Sequence, residues 1–386
     1  MSEQGSEFAI SAPLIFDGAK LLPNHCVTVQ DGKVAQLLPL SECPDSIQRL
    51  ALSQGTLAPG LIDLQVNGGG DVLFNNEPTQ ESIHRIAQAH LSKGTTAILP
   101  TVISDATEVQ YSAVAAARQA IAAGNEGVLG VHLEGPHFAE QKRGAHCASK
   151  IRPVSREDID WLQSLQDLLV VITVAPEEMP TGYVRALRDS GTIVCAGHTQ
   201  ATYDQMQRAI DEGLHGVTHL FNAMSPLTSR EPGAVGAALE ADTLWAGIIA
   251  DGHHVHAAAL RLAHACKPSG KLLLVSDAMA TVGGTQNHFQ LYGDRIVERD
   301  GKLVNTQGIL SGSAIGLIDA VRFTHQCAGI ALEECLRMAS LYPAIALGLD
   351  NERGRVSPGY RADFVHFNDD FQVLQTWVSG YHRSHH

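Results

Sequence analysis

The chain has 386 residues, 44% hydrophobic and 18% charged, an ordinary balance for one large α/β domain or two smaller domains. Its 41 acidic residues outnumber its 27 basic ones and give a formal net charge of −14, which argues against nucleic acid or an anionic membrane surface as the main partner. A small phosphorylated substrate stays open, because a few local cations can hold one phosphate whatever the total charge.

The two ends of the chain have β-like patterns. The first 57 residues contain short β-like runs separated by turn signals such as Asp31-Gly32, and residues 351–386 alternate apolar and polar positions around a further turn. Edge strands from one end need partners that the other end can supply. We therefore predict a small β-sandwich domain built from residues 1–57 plus 351–386, and a second domain over 58–350.

The middle of the chain repeats an apolar run and then a helical stretch. The candidate strands are 61–67, 95–102, 127–134, 169–175, 192–198, 216–221, 244–250 and 272–277. Most are near-continuous Val, Ile, Leu or Ala, which is typical of parallel strands buried on both faces, and amphipathic stretches such as TQESIHRIAQAHLSKG end at a glycine. NGGGD, after the first strand, lacks the GxGxxG spacing of a dinucleotide site. The pattern predicts an α/β fold with a (β/α)8 TIM-like barrel rather than an open sheet.

Three side chains of metal-ligand type close candidate strands: Glu134, His198 and His219. The carboxyl ends of barrel strands share one face, and two imidazoles with one carboxylate leave a coordination position for water, as in catalytic zinc sites. Any one of the 19 histidines taken alone would more often be a surface or helix residue, but the combination favours a site, since a buried Glu134 without a cation would carry a heavy desolvation cost. We predict one divalent metal ion per subunit, zinc first, with Fe2+, Mn2+ or Co2+ as alternatives.

Asp277 follows the last candidate strand, in VSDAMA, with no basic residue nearby in the sequence. A carboxylate beside a metal-bound water can take its proton and return it to a leaving amine. The alternative is an aspartate that caps the following segment. We predict that Asp277 is the general base and acid of an amide hydrolase.

The loops after the strands carry groups that suit an anion. The candidates are Asn222, the backbone amides near Ala223, Arg230, His146 and the adjacent His253 and His254. An arginine with a histidine and amide donors suits a phosphate or carboxylate, although a lone arginine more often forms a surface ion pair. ILSGSAIG, at 309–316, is open to two interpretations, a contact to a substrate anion or a plain turn into a helix with a serine cap.

Longer motifs then become recognisable as a set. PGLIDLQVNG, HLEGPH, AGHT, THLFNAM, REPG, ADGHH, SDAM, LSGS and the closing RADFV and TWVSG occur in this order along nearly the whole chain. Together they resemble the N-acetylglucosamine-6-phosphate deacetylases of the amidohydrolase superfamily. The resemblance implies metal-dependent hydrolysis of the N-acetyl group of N-acetylglucosamine 6-phosphate, a step of amino-sugar catabolism. It also implies a homodimer or homotetramer whose neighbouring subunit helps to form the phosphate pocket.

The resemblance also assigns roles to residues of this chain. It gives the metal to Glu134, His198 and His219 and the acid/base role to Asp277. Substrate contacts are implied for Ala145, His146, Asn222, Ala223, Arg230, His254, Ile309, Leu310 and Ser311. His146 would lie by the sugar and the developing oxyanion, and Arg230 and His254 by the phosphate. The additional His253 leaves the choice between the two neighbouring histidines open.

Two departures from the wider superfamily concern a second metal. Gln65 and Asn67 stand where many members carry an HxH pair, and VITVAPEE has no lysine to bridge two ions. Both absences favour one metal, and we expect Gln65 and Asn67 to pack beside the metal pocket or to hydrogen-bond the substrate. An amidohydrolase acting on a cyclic amide or ureide is one alternative, against which the Arg230 loop and the missing second-metal ligands argue. A catalytically inactive barrel is another, against which the complete ligand and acid/base set argues. The sequence does not distinguish N-acetylglucosamine from N-acetylgalactosamine 6-phosphate.

The location of the protein is predicted from what the chain lacks. The residues MSEQGSEFAI are polar and acidic, unlike a signal peptide, and no apolar run reaches the roughly 18 to 20 residues that span a bilayer. Seven scattered cysteines form no CxxC pair, as expected for reduced thiols. We expect a cytoplasmic protein that interacts with neither membrane nor nucleic acid.

Overall fold

The computed structural model describes residues 7–383. Its N-terminal strands are β1 (Glu7–Phe16), β2 (Leu21–Gln30), β3 (Lys33–Pro39), β4 (Arg49–Ala51) and β5 (Thr56–Pro59). β1, β2 and β3 pair in antiparallel succession. Asp31 and Gly32 form the turn between β2 and β3 with φ of 49° and 75°, the left-handed conformations that a tight hairpin requires and that Asp-Gly predicts.

Eight parallel strands then form the predicted (β/α)8 barrel, which is confirmed. They are β6 (Leu61–Val66), then, after a small hairpin of β7 (Gly68–Gly69) and β8 (Val72–Leu73), β9 (Thr95–Ile103), β10 (Val131–Glu134), β11 (Val170–Val174), β12 (Ile193–Ala196), β13 (Gly216–Val217), β14 (Trp245–Ile249) and β15 (Leu272–Val275). All residues of these eight barrel strands except Ile193 are buried, as expected for strands covered on both faces.

Three barrel strands end two or more residues earlier than the sequence predicts. β12, β13 and β15 stop before His198, His219 and Asp277, whose φ angles are 50°, 35° and 52°. An extended strand has negative φ, so the strands end where these side chains need a different backbone conformation. These three candidates therefore lie just beyond the strands rather than within them, whereas Glu134 is the last residue of β10.

A helix follows each barrel strand, and two more close the chain around the barrel. They are α1 (Gln80–Leu91), α2 (Thr107–Ala122), α3 (Arg156–Gln163), α4 (Tyr183–Asp189), α5 (Tyr203–Asp211), α6 (Gly233–Glu240), α7 (Ala257–Cys266), α8 (Leu317–Gln326), α9 (Leu332–Ala339) and α10 (Leu341–Ala346). The predicted glycine stops are present after α1 and α5, at Gly94 and Gly213, with φ of 78° and 99°. No helix among residues 7–383 has the length and hydropathy to cross a membrane.

Between β15 and α8 the chain forms a four-stranded antiparallel sheet that the sequence analysis did not predict. Its strands are β16 (His288–Leu291), β17 (Asp294–Arg299), β18 (Lys302–Val304) and β19 (Leu310–Ser313). Leu310–Ser313 is thus a strand and not a plain turn, and α8 is capped by Asp319, which accepts the Gly316 N–H at 3.1 Å, instead of a serine.

The C-terminal strands join the N-terminal ones in one eight-stranded sheet of the described chain. They are β20 (Phe364–Phe367), β21 (Val373–Val378) and β22 (Tyr381–Arg383), and β20 pairs antiparallel with β5. Ile10, Ile15, Phe364 and Trp377 are fully buried in the core of this sheet. The division into residues 1–57 plus 351–386 and 58–350 stays a prediction, and β5 continues to Pro59, directly before the barrel strand β6.

Candidate active site and metal centre

A cavity of about 170 Å³ lies at the carboxyl ends of the barrel strands. Its wall includes Glu134, His146, His198, His219, Asp277, Ala145, Asn222, Ala223, His254 and Leu310. The structure thus brings ten of the candidates together around one space. A larger cavity of about 610 Å³ lies between α1 and α2 at the amino ends of the strands and contains none of them.

Glu134, His198 and His219 converge on one point within this cavity. Their ligand atoms all lie within 4.8 Å of one another. Glu134 Oε1 is 3.3 Å from Nε2 of His198 and 3.0 Å from Nε2 of His219, and the two Nε2 atoms are 3.0 Å apart. Ligand atoms bound tetrahedrally at about 2.0 Å from one ion are about 3.3 Å apart, so the spacing suits a single metal ion.

The hydrogen bonds around the cluster also suit a cation. His198 Nδ1 donates to the Lys142 carbonyl at 2.8 Å, so its Nε2 presents a lone pair to the cluster in the neutral ring. His198 Nε2, His219 Nε2 and Glu134 Oε1 all face the same point. Only one proton can lie between these three atoms. A divalent cation accepts all of these lone pairs at once. The residues present therefore fit a metal ion.

The pKa shifts in the cluster follow from burial and from the Glu134 charge. Burial lowers the pKa of His198 and outweighs its hydrogen bond with Glu134. Burial also acts on His219, but the hydrogen bond and charge of Glu134 outweigh it and raise the pKa. For Glu134 the two histidines outweigh burial and keep the pKa well below its usual value. Metal ligation requires the Nε2 lone pairs of both histidines, so a cation would compete with protons for these two atoms.

Asp277 lies beside the cluster and is held by two amides from β6 and the residue after it. Its Oδ1 accepts a hydrogen bond from Gln65 Nε2 at 3.1 Å and one from Asn67 Nδ2 at 2.6 Å. Gln65 Nε2 also donates to Glu134 Oε1 at 3.1 Å. Within residues 7–383 no hydrogen bond involves Asp277 Oδ2, so that oxygen is the one available for proton transfer. Burial, together with the Glu134 charge, raises the pKa of Asp277 to about 7, where a carboxyl group can both take and return a proton.

Four residues of the site have a left-handed backbone conformation. His198, His219, Asp277 and Ala223 all have φ between 35° and 52°. The left-handed conformation costs a non-glycine residue roughly 1–2 kcal/mol. Such strain is typical of functional sites, where the surrounding structure fixes a side-chain direction that relaxed backbone would not give.

His146 presents a hydrogen-bond donor to the cavity. Its Nδ1 accepts the backbone N–H of Ser104 at 3.2 Å and lies 2.9 Å from Ser104 Oγ. A backbone N–H can only donate, so the ring proton of neutral His146 is on Nε2. Burial lowers the pKa of His146 well below its usual value. Tyr292 of the inserted sheet donates its hydroxyl to the Ser104 carbonyl and so anchors this arrangement from outside the barrel.

The structure favours His254 over His253 as the cavity residue. His254 lines the cavity, and its Nδ1 donates to Asp251 Oδ2 at 2.6 Å. Asp251 Oδ1 also accepts the backbone N–H groups of His253 and His254, each at 2.8 Å. His253 is exposed and is not part of the cavity wall.

Five candidates lie outside the cavity wall of this single chain. Arg230 is exposed and makes no hydrogen bond or ion pair with any residue of 7–383. Ile309 is 44% exposed, and Ser311 is buried with its Oγ 3.5 Å from the Ile309 carbonyl. Gln65 and Asn67 are also absent from the wall itself and reach it only through their bonds to the two carboxylates.

Sequence reasoning gave no role to Ser104, Asp251 or Tyr292. Asp251 stands inside the quoted motif ADGHH, so its place before two histidines was the signal available for it. Ser104 and Tyr292 are 188 residues apart, and their contact depends on the inserted sheet, whose presence had not been predicted.

Comparison with known proteins places this site in a family context. Residues 56–381 match the amidohydrolase family. The N-acetylgalactosamine-6-phosphate deacetylase of Shewanella sp. (strain ANA-3) is 39% identical over 377 residues, 95% of each chain. The crystal structure of N-acetylglucosamine-6-phosphate deacetylase from Pasteurella multocida superposes with a TM-score of 0.95 at 36% identity, covering 98% of this chain and 100% of that one. A mutant N-acetyl-D-glucosamine-6-phosphate deacetylase from Mycobacterium smegmatis, in complex with N-acetyl-D-glucosamine-6-phosphate, gives a TM-score of 0.91 at 29% identity, covering 98% and 99%.

Proposed function

The chain belongs to the amidohydrolase family, and on that premise we propose that it hydrolyses the N-acetyl group of N-acetylglucosamine 6-phosphate, releasing glucosamine 6-phosphate and acetate. The observation that carries the proposal is the buried cluster of Glu134, His198 and His219 with Asp277 beside it. A carboxylate with a pKa raised to about 7 next to a metal-ligand set is suited to amide hydrolysis.

Glu134, His198 and His219 would hold one divalent cation, for which we propose zinc. When bound, the cation would supply a Lewis acid that polarises the amide carbonyl and lowers the pKa of a water molecule. Gln65 Nε2 donates to Glu134 Oε1 at 3.1 Å. Its neutral amide is a poor ligand beside imidazole and carboxylate, which supports a site for one ion.

Asp277 would transfer a proton from the attacking water to the leaving amine. Its Oδ2 would take a proton from the attacking water and return it to the nitrogen of the leaving amine, while Gln65 and Asn67 keep Oδ1 fixed. His146, with its proton on Nε2, would donate a hydrogen bond to the carbonyl oxygen as negative charge develops there. Neither step requires a further titratable group.

His254 and Arg230 would bind the phosphate. Asp251 orients His254 through its Nδ1, and Nε2 would donate to a phosphate oxygen when the ring carries a proton on both nitrogens. Arg230 is exposed beyond the cavity of its own chain, which supports the proposal of a homodimer or homotetramer whose neighbouring subunit contributes to the phosphate site. We propose a cytoplasmic enzyme of amino-sugar catabolism.

A second candidate substrate is N-acetylgalactosamine 6-phosphate, because the relative with 39% identity acts on that sugar phosphate by name. The two substrates differ only at the C4 hydroxyl, and both would present the same amide and phosphate to the residues described above. The chemistry proposed for Asp277 is the same for both.

Acetate release from the two sugar phosphates, measured side by side on zinc-loaded protein, tests the proposal. We expect acetate release from N-acetylglucosamine 6-phosphate, with a kcat/KM above that for its C4 epimer, and little release from unphosphorylated N-acetylglucosamine. The reverse order would identify the second candidate as the substrate. No release from either phosphate would refute the deacetylase function.

A further inference from the structure

We propose that Asp63 is a positioning residue that closes the seam of the barrel and holds Asp277 against β6. Asp63 has no part in the metal cluster or in the cavity wall. The expected change in kcat rests on the proposed function. The expected change in local structure rests on hydrogen bonds of the described chain.

The seam is the join between the first and last barrel strands. β6 and β15 stand at the two ends of the eight-strand order, and within residues 7–383 no ladder of backbone hydrogen bonds connects them. Among the described residues, the backbone contacts between the two sides lie at or beyond the strand ends. A parallel bridge joins Val66 and Ala278, and the backbone N–H groups of Asn67, Gly68, Gly70 and Asp71 donate to carbonyls of residues 278–282. Neighbouring parallel strands normally exchange evenly spaced backbone bonds, so this join needs another support.

Asp63 supplies that support from β6. Its Oδ1 accepts the backbone N–H of Ser276 at 3.2 Å, across the seam, and that of Gln65 at 3.2 Å, on its own strand. Ser276 Oγ returns a hydrogen bond to the Gln65 carbonyl at 3.3 Å. The residue before Asp277 and the residue whose amide binds Asp277 are thereby tied to the same carboxylate.

The next residues along the seam show how this join fixes the position of Asp277, the proposed acid/base. The Ala278 carbonyl accepts the backbone N–H groups of Asn67 and Gly68 at 2.9 and 3.0 Å. From the other side, the Ser313 backbone N–H donates to the Asp277 carbonyl at 2.9 Å. Asp277 is therefore held on both flanks in a strained conformation with φ of 52°. Loss of the Asp63 contact would release the segment on the β6 side.

Asp63 is buried although the burial of a carboxylate is energetically unfavourable. The side chain is fully buried, and its Oδ2 has no hydrogen-bond partner among the described residues. A buried carboxylate with so few donors is unfavourable compared with an apolar side chain, and burial raises the pKa of Asp63 to about 6. An apolar residue at this position would pack in the barrel but would leave the Ser276 N–H without its acceptor.

The test compares Asp63→Asn with Asp63→Ala in the full-length, metal-loaded protein. The asparagine retains an acceptor oxygen at the position of Oδ1, so we expect its kcat to stay within threefold of the wild-type value. The alanine variant should lose at least tenfold in kcat with KM within twofold and with unchanged metal content. Thr324→Ala, which removes a buried hydroxyl bonded to Ala320 in α8, is the control for a general loss of packing and should retain kcat.

Amide hydrogen exchange gives a readout that does not depend on catalysis. Exchange in a peptide covering residues 272–280 should be faster in Asp63→Ala than in Asp63→Asn or the wild-type protein. If the alanine variant does not fold, Ser276→Ala tests the same join from the β15 side. It removes the hydrogen bonds of Ser276 Oγ with the Gln65 carbonyl and the Ala278 N–H, so exchange should be faster at residues of this peptide besides Ala278, with a smaller loss of kcat.

Two results would overturn the inference: unchanged exchange and kcat in the alanine variant, or equal loss in the asparagine and alanine variants, which would assign the effect to the charge instead of the acceptor. Absence of deacetylase activity in the wild-type protein would refute the proposed function, while the exchange comparison would still decide the role of Asp63.

Discussion

Four side chains of this site, His198, His146, His254 and Asp277, are each oriented by a neighbour that lies outside the cavity wall. The Lys142 carbonyl binds His198, Ser104 binds His146, Asp251 binds His254, and the amides of Gln65 and Asn67 bind Asp277. Such supports fix the rotamer and the tautomer of a reacting group. Conservative substitutions can therefore remove a chemical function at this site while they preserve its shape.

Asp277→Asn tests the acid/base role at this scale. The amide oxygen of asparagine can still accept the hydrogen bonds from Gln65 and Asn67, but the amide cannot take a proton from water. We expect kcat to fall by about 10² to 10⁴, with one metal equivalent and substrate affinity retained. Steady-state kinetics combined with metal analysis checks this, and more than a tenth of wild-type kcat in the variant would make Asp277 a structural residue.

The pH dependence of kcat gives a second test of Asp277. The carboxylate must be ionised to act as a base, so the rate should rise with pH through its pKa. Burial and Glu134 raise that pKa to about 7 in the protein without a cation, and a cation beside the carboxylate will lower it. We expect an acid limb with a midpoint below about 7 in a profile from pH 5 to 9. Persistence of the same limb in the residual activity of Asp277→Asn would assign it to another group.

Arg230→Ala tests the phosphate contact. Losing a hydrogen bond to a charged group costs about 1.5–3 kcal/mol, so we expect KM for the sugar phosphate to rise at least tenfold. Arg185→Ala is the matched control, because Arg185 is also exposed and without an ion pair in the described chain but lies on α4. Equal kinetics for the two variants, or equal wild-type activity on the free sugar, would contradict the assignment.

Some of these residues could be predicted from the sequence, and others could not. Glu134, His198, His219 and Asp277 could be recognised because each follows an apolar run, and the ends of such runs meet in a barrel. The partners of Gln65 and Asn67 could not be predicted, because Asp277 lies more than 200 residues away along the chain and meets them only where the barrel closes. Ser104 and Asp63 have no local pattern of their own, since their roles depend on contacts across strands.

At the scale of elements, the eight strands and their order of succession were predictable from apolar runs, and their ends were not. The apolar runs in the sequence continue up to His198 and His219. The strands end before these two residues, because each has a positive φ. The inserted sheet did have a local signal: Gly293, Asp300 and Gly301 have φ of 86°, 52° and 74° at its hairpin turns, and Asp300-Gly301 is a common hairpin pair. Its short, polar strands lacked the apolar runs that identified the barrel strands.

The contact between α6 and the residue after α7 is a testable element-scale feature. Lys267 is buried, and its Nζ donates to the carbonyls of Ala238 and Ala241 at 2.9 and 2.6 Å, at the carboxyl end of α6. We expect Lys267→Met to lower the free energy of unfolding by about 1–3 kcal/mol, because it leaves buried carbonyls without donors. Urea denaturation measures this change.

The matched control for that substitution is Lys271→Met. Lys271 Nζ donates to the Thr243 carbonyl at 2.9 Å in an exposed setting, where water can replace the lost donor. We expect a change within about 0.5 kcal/mol. A loss at Lys271 as large as that at Lys267 would show that burial of the helix end does not decide the effect.

At the scale of the whole molecule, the two chain ends meet in one sheet, and the buried side chain of Arg353 connects the C-terminal segment to the barrel. Arg353 binds Asp363 at 2.6 Å with both side chains buried, and it also donates to the Glu126 carbonyl at 3.0 Å, just before β10. The sequence indicated that the termini would pair, and the register of β20 against β5 required the structure. With a net charge of −14, the protein would depend on local groups such as Arg230 and His254 to bind the proposed anionic substrate.

The central claim is that one cation at Glu134, His198 and His219 makes this barrel a deacetylase of a sugar phosphate. Titration of metal-free protein with zinc, followed by acetate release from N-acetylglucosamine 6-phosphate, tests it most directly, with His198→Ala as the variant that should stay inactive. We expect activity to rise from near zero and to stop rising at one equivalent per subunit. Full activity without metal, or a rise that continues to two equivalents, would contradict the claim.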